Sequence, residues 1–337
     1  MATEAKVAVL GAGSWGTTLA LMLAKSGKDV MLWEFRSDAV MLIELDRENK
    51  EFLPGYPFPS NLGITGDIKV AIDGVDYIIM AIPTHGFRST AGRIVDGPGK
   101  GVVVISVAKG VEQESLMRMS EVLGDVWGDK FDQNMFTALS GPSHAEEVVM
   151  GLPSSVVAAS IDIETAHRVQ RLISGDRFRV YSSDDVVGVE LGGSLKNVIA
   201  IAAGLADGLG FGDNTKGALL TRGLAEISRL GMKLGGKAVT FAGLSGMGDL
   251  ITTCCSRHSR NRYVGEQIGQ GRSLKDVLGG MHMVAEGVRT TASAYALGKR
   301  EGVEMPITEQ VHRILFEDAD PLKATMELMG RRLKVED

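Results

Sequence analysis

Hydrophobic positions in the first half of the chain come in short, β-branched runs: KVAVL (6–10), DVMLW (29–33), YIIMAI (77–82), VVVIS (102–106), MFTAL (135–139), SVVAAS (155–160) and FRVYS (178–182). The runs are unbroken rather than alternating, which marks strands buried on both faces. Helix-length segments separate them, and the stretch from about Ser14 to Lys25 predicts the first helix. Together they predict a doubly wound parallel sheet with helices on both sides.

After about Asp185 the pattern changes. VVGVELGGSLKNVIAIAAGLADGLG, TKGALLTRGLAEISRLGMKLG and RYVGEQIGQG read as helices, and no convincing strand follows the low 180s. Pro306 stands just before the helical TEQVHRILFED, and Asp320-Pro321 reads as an N-cap followed by proline at the first helical position. The expectation is an α/β unit over residues 1–185 and an all-helical unit over 186–337, packed closely together. A length of 337 residues suits two domains.

Composition narrows the function. Thirty-six basic against 42 acidic side chains give a net charge of −6, which does not favour nucleic acid or an anionic membrane surface. The longest apolar stretches contain Lys196 or end at Asp207, short of the roughly 18 uncharged residues of a membrane span. MATEAKVAVLGAG lacks the basic start of a signal peptide, and Cys254 and Cys255 are adjacent and unsuited to a structural disulfide. These features lead us to expect a cytoplasmic protein.

Forty-three glycines are an excess that close approaches of backbone would explain. One group forms GAGSWG, with Gly11, Gly13 and Gly16 between the first strand and the first helix. This is the context of the Rossmann dinucleotide fingerprint. The first glycine makes the tight turn, the second admits the pyrophosphate, and the third lets helix and strand pack. The helix N-terminus then faces the anion with free N–H groups and a positive dipole end. GLGFGD (208–213) and GMKLGGKA (231–238) follow helical patterns and lack that context. The second strand ends at Glu34, Phe35 and Arg36. A carboxylate there suits the ribose of NAD, whereas an arginine suits the 2′-phosphate of NADP, so NAD(H) and NADP(H) both stay open.

Ligands of such sheets bind beyond the carboxyl ends of the strands. Thr84 and His85 follow one strand, Lys109 another, and Ser140-Gly141-Pro142-Ser143 a third. In the helical half, SRHSRNR places Arg257, Arg260 and Arg262 around Ser259, a candidate helix cap, so that cations and helix-end N–H groups can meet on one anion. Asp249 stands alone in the uncharged GLSGMGDLITTCCS, where a buried carboxylate needs a cation or a capping role. His85, His144, His167, His258, His282 and His312 show no metal-like spacing, and no metal is expected.

Lys196 interrupts the apolar LGGSLKNVIAIAAG. Removing a hydroxyl proton as hydride leaves carbon requires a base, and the reverse requires an acid. A lysine whose pKa falls towards neutrality can be both. Burial and a neighbouring ammonium such as Lys109 would lower it, and Asp249 would raise it part-way back.

The chain resembles the bacterial NAD(P)-dependent glycerol-3-phosphate dehydrogenases along nearly its whole length. GAGSWGT, FLPGYPFP, SVAKGVE, LSGPSHAEEV, LGGSLKNVIAIAAG, GMGDLITTC, SRNR and VAEGVRTT carry the likeness, LGGSLKNVIAIAAG and SRNR most specifically. The resemblance implies interconversion of sn-glycerol 3-phosphate and dihydroxyacetone phosphate, supply of glycerol phosphate for phospholipid synthesis, and a homodimer. It implies Lys196 as proton acceptor, with Lys109 and Asp249 beside it. Lys109, Gly141, Ser143, Lys196, Asp249, Ser259, Arg260 and Asn261 would line the substrate. Gly11, Gly13, Ser14, Trp15, Gly16, Phe35, Arg36, Lys109, Ala145, Arg260, Val284 and Glu286 would line the cofactor.

Many bacterial relatives carry Gly or Ala at the Glu34 position and His or Arg at the Phe35 position, so strict NADP preference is not expected here. Two alternatives remain. Hydroxyacid dehydrogenases and ketopantoate reductases of similar build generally separate the lysine from a functional asparagine, whereas Lys196 and Asn197 are adjacent. A non-catalytic NAD(P)-binding sensor would bind cofactor without turnover.

Overall fold

The computed structural model describes residues 5–281, 284–333 and 335–336. Among these, eight strands form one sheet: β1 (Lys6–Leu10), β2 (Asp29–Trp33), β3 (Leu62–Thr65), β4 (Tyr77–Met80), β5 (Val103–Ser106), β6 (Phe136–Ser140), β7 (Ser154–Ala159) and β8 (Phe178–Ser183). Their spatial order is β3-β2-β1-β4-β5-β6-β7-β8. Each of the seven runs in the sequence overlaps a strand, and β3 is an additional edge strand. The sheet is parallel except between β6 and β7, which run antiparallel. That pair departs from the all-parallel expectation. Between the two strands lies only the five-residue helix Ala145–Val149, and the chain turns back rather than crossing over.

Successive residues of β1 feed opposite cores, as the two-residue period of a strand requires. Val7 and Val9 pack with Leu19, Leu23 and Val169, while Ala8 and Leu10 pack with Phe87, Val122 and Trp127. Strand order reverses at β1, with β2 on one side and β4 on the other, which opens a crevice beyond their carboxyl ends.

The helical half is built around Val186–Gly208. Asp213–Lys233, Asp249–Cys255, Arg260–Gly269 and Glu286–Glu301 pack against it. Where it crosses Arg260–Gly269, a Cβ on Gly204 would lie 1.9 Å from the Arg262 carbonyl oxygen, and one on Gly265 would lie 2.0 Å from that of Ile201. The two backbones touch, and part of the glycine excess is spent there. Val186–Gly208 and Ala238–Cys255 are long and apolar enough to cross a membrane by length and composition alone, but Glu190, Lys196 and Asp207 interrupt the first and Asp249 the second. The first is the core of this half, with 94% of its most apolar window buried in the protein.

Two buried carboxylates join the halves. Asp185 caps the central helix, accepting from the Gly188 N–H at 2.8 Å, and its other oxygen accepts from the Lys237 N–H at 2.8 Å. Glu190 accepts from the N–H and hydroxyl of Ser120 at 2.9 and 2.7 Å, and pairs with Arg118 at 2.6 Å. Pro306 and Pro321 each open a helix, and Asp320 caps the second by accepting from the Lys323 N–H at 2.7 Å.

Candidate active site

A cleft of about 690 Å³ runs from the end of β1 to the helical half. The glycine loop forms one end. Gly11 has φ +111°, and a Cβ there would lie 2.5 Å from the Ala81 carbonyl oxygen at the end of β4. A Cβ on Gly16 would lie 1.9 Å from the Gly11 carbonyl oxygen, whereas one on Gly13 would meet nothing within 4 Å. The loop is therefore closed on its protein side and open at Gly13. Gly13 is the N-cap of helix Ser14–Lys25, and no side chain caps that end. A pyrophosphate fits this cradle, with backbone N–H groups towards it. Ser14, Trp15, Phe35 and Arg36 line the same end, and Phe35 is 66% exposed at the rim.

Lys196, 4% exposed, and Asp249, 2% exposed, meet at the far end. Lys196 Nζ donates to Asp249 Oδ1 at 2.5 Å and to the Thr253 hydroxyl at 2.6 Å. Lys109 Nζ donates to Asp249 Oδ2 at 2.9 Å and to the Gly141 carbonyl at 3.0 Å, with the Ser143 hydroxyl at 3.5 Å. One carboxylate thus bridges two ammonium groups, one from each half of the molecule. Burial, aided by the Lys109 charge, pushes the Lys196 amine down to about 8, although Asp249 opposes the shift. Burial pushes the Asp249 carboxyl up, but the two lysines together hold it below the usual carboxylate range.

Behind these charges runs a chain of amides. The Gly287 N–H donates to Asn261 Oδ1 at 2.9 Å, Asn261 Nδ2 to Asn197 Oδ1 at 2.9 Å, and Asn197 Nδ2 to the Lys109 carbonyl at 3.0 Å. The fixed direction of the first donor sets both amide orientations. Ser259 caps helix Arg260–Gly269 by accepting from the Arg262 N–H at 3.2 Å. Arg260 is exposed on the first turn and lines the cleft.

Residues 6–166 match the N-terminal model of NAD-dependent glycerol-3-phosphate dehydrogenase, and residues 185–326 match its C-terminal model. The chain belongs to this family. It is similar to the glycerol-3-phosphate dehydrogenase [NAD(P)+] of Pelotomaculum thermopropionicum, with 52% identity over 97% of this chain and 93% of that one. The enzyme of the same description from Chlorobium luteolum is 50% identical over 98% and 99%. The crystal structure of glycerol-3-phosphate dehydrogenase from Coxiella burnetii superposes with a TM-score of 0.92 at 40% identity, covering 97% of this chain and 99% of that one.

Of the residues the sequence picked out for a glycerol-3-phosphate dehydrogenase site, all but Gly141 line this one cleft, and Gly141 touches it through its bond to Lys109. Ala145, Val284 and Glu286 line its middle. Burial raises the Glu286 carboxyl, whose Oε1 accepts from the Thr84 N–H at 3.0 Å and the Thr84 hydroxyl at 3.3 Å.

The basic segment behaves differently from its reading in sequence. Arg262 pairs with Asp207 at 2.7 Å and Glu266 at 3.3 Å, and neither it nor Arg257 is in the cleft lining; Arg260 is the member that reaches it. Thr253 went unnoticed, though its place four residues after Asp249 puts the two on one helix face. His144 and His258 also line the cleft, their rings 6.0 Å apart, and His144 Nε2 is buried without a partner. Burial and the two lysines lower the His144 pKa. His282 lies outside the described residues. Cys254 and Cys255 are free thiols, the first buried. Among the described residues no group of three or more His, Cys, Asp or Glu is placed to hold a metal ion.

Proposed function

We propose that the chain interconverts dihydroxyacetone phosphate and sn-glycerol 3-phosphate, with NAD(H) or NADP(H) as redox partner. The observation that carries this is the Lys196–Asp249–Lys109 bridge at the closed end of a cleft whose open end is the glycine loop. When bound, the nicotinamide cofactor would supply or accept the hydride. Gly11, Gly13 and Gly16 with the helix N-terminus would hold its pyrophosphate, and Trp15, Phe35, Arg36, Ala145, Val284 and Glu286 would flank the rest.

Lys196 acts on the proton. As the neutral amine it takes the hydroxyl proton of the alcohol, and as the ammonium it returns a proton to the ketone oxygen. A pKa near 8 makes both forms accessible close to neutral pH. Asp249 keeps both lysines aimed, and Lys109 presents positive charge where the oxygen becomes anionic. Ser143 and Gly141 border that oxygen. Arg260, with Asn261 and the helix end that Ser259 caps, holds the phosphate. Action in the cytoplasm as a homodimer, supplying glycerol phosphate for phospholipid synthesis, belongs to the same reading and rests on the family resemblance.

Purified protein mixed with dihydroxyacetone phosphate should oxidise NADH or NADPH rapidly, followed by absorbance. Cofactor binding with no oxidation would sink this reading in favour of a sensor or another substrate. Arg260→Ala should raise the KM for dihydroxyacetone phosphate, since a charged hydrogen bond contributes about 1.5–3 kcal/mol, or roughly 10- to 150-fold. A rise confined to the cofactor KM would show that the phosphate sits elsewhere.

A further inference from the structure

Glu34 follows β2 directly, is 6% exposed, and lines the cleft where an adenosine ribose would lie. Its Oε1 accepts from the Arg36 backbone N–H at 3.1 Å and from Arg36 Nε at 3.4 Å. The other edge of the same guanidinium faces Glu51: Nη1 donates to Oε1 at 3.2 Å and Nη2 to Oε2 at 2.7 Å. This is the two-pronged geometry that Arg prefers with a carboxylate. The guanidinium carbon also stands 5.6 Å from the centroid of the Phe52 ring, which fixes the remaining face. Both edges and one face of the cation are therefore engaged within the protein.

We propose that the chain selects NAD(H) over NADP(H), and that Glu51 is a specificity-determining residue because it holds Arg36 against Glu34 and away from a 2′-phosphate. The inference rests on the dinucleotide reading of the cleft and refines it. Two carboxylates bracket one guanidinium, so this cluster of three is net negative, while Arg93, stacked over Trp33 at 5.7 Å, also lines the cleft. A 2′-phosphate brings further negative charge. To gain Arg36 it must displace a bidentate carboxylate, and it still comes to rest beside the buried Glu34. A 2′-hydroxyl meets no such conflict, because Glu34 Oε2 carries none of these bonds and can accept from it. The Arg36–Glu51 pair is half exposed, so it is breakable by itself. Glu51 should thus contribute a graded part of the selectivity, with Glu34 contributing the larger part.

The test is binding of NADH and of NADPH to the full chain, titrated by fluorescence or calorimetry without substrate. The wild type should bind NADH at least roughly tenfold tighter. Glu51→Gln should tighten NADPH several-fold and leave NADH nearly unchanged. Glu34→Gln combined with Glu51→Gln should erase or reverse the preference. Arg36→Ala leaves both carboxylates uncompensated and should widen the preference for NADH. Equal or tighter NADPH binding by the wild type, with Arg36→Ala weakening NADPH alone, would overturn the proposal by showing that Arg36 reads the phosphate. Binding of neither dinucleotide would overturn it together with the cofactor reading. Selective NADH binding without oxidation by dihydroxyacetone phosphate would support the clamp while sinking the substrate assignment.

Discussion

Lys196→Ala is expected to lower turnover on the order of 10³-fold in both directions while cofactor affinity changes less than about twofold. Positioned proton transfer contributes roughly 10² to 10⁴ to such rates. Lys196 is the buried amine at the closed end of the cleft, away from the glycine loop. The variant should fold, because Asp249 keeps its ion pair with Lys109 at 2.9 Å and is not left as an unpaired buried charge. It also removes an ammonium that burial disfavours. A small primary amine added to the solution should restore part of the lost rate by occupying the vacated volume. Steady-state rates with and without the amine, beside a cofactor titration, decide the matter. Near-normal turnover would move the proton to Lys109 or to a water molecule.

How far the site was legible follows from what each residue reveals by itself. A charge inside an apolar run announces that it is paired or chemically active, so Lys196 and Asp249 stood out. Their partnership with Lys109 followed from the chemistry a base-competent lysine needs, whereas distance along the chain gave no sign of it. The two lie 53 residues apart and Lys109 lies 140 residues before Asp249, and the three meet where a strand end faces the helical half. A cluster of like charges is the opposite case. Arg257, Arg260 and Arg262 were conspicuous together, yet the direction each side chain takes on its helix decides which one enters the cleft. Arg262 is instead tied to Asp207.

Elements were lost for equally specific reasons. LGIT of β3 is four residues with a glycine, paired on one edge only, and offers little pattern to read. Strand direction is invisible in a hydrophobic run, so the antiparallel β6–β7 pair could not be told from a parallel one. Helix Glu286–Glu301 buries Gly287, Thr290, Thr291, Ser293 and Ala294 beside Val288 and Leu297, so small and hydroxyl residues dilute its apolar face. Thr291 donates to the Gly287 carbonyl at 2.7 Å within the helix, and Ser293 to the Val111 carbonyl at 3.0 Å outside it.

Asp249→Asn should be the most informative change, because it keeps the shape and removes the charge that two lysines share. In the wild type, Lys196 titrates at about 8, below its unfolded value near 10.4. Between those values the unfolded chain binds more protons, so this group makes stability rise with pH across that window. Without the carboxylate, the force holding the Lys196 pKa up is gone while burial and the Lys109 charge remain, and the pKa must fall further. The rising part of the kcat/KM profile for glycerol phosphate oxidation, set near pH 8 in the wild type, should move to lower pH. Reduction of the ketone needs the ammonium, so its activity should fade from a correspondingly lower pH. Both rates should also drop by roughly 10²-fold as the two lysines lose their common anchor. Breaking a buried pair costs about 3–5 kcal/mol, and deprotonation of Lys196 offsets part of that cost above its new pKa. Thermal unfolding of the variant should accordingly show its destabilisation shrinking as pH rises. A pH–rate profile that stays centred near 8 would mean that Asp249 orients Lys196 without governing its proton, and the acid–base assignment would then rest on position alone.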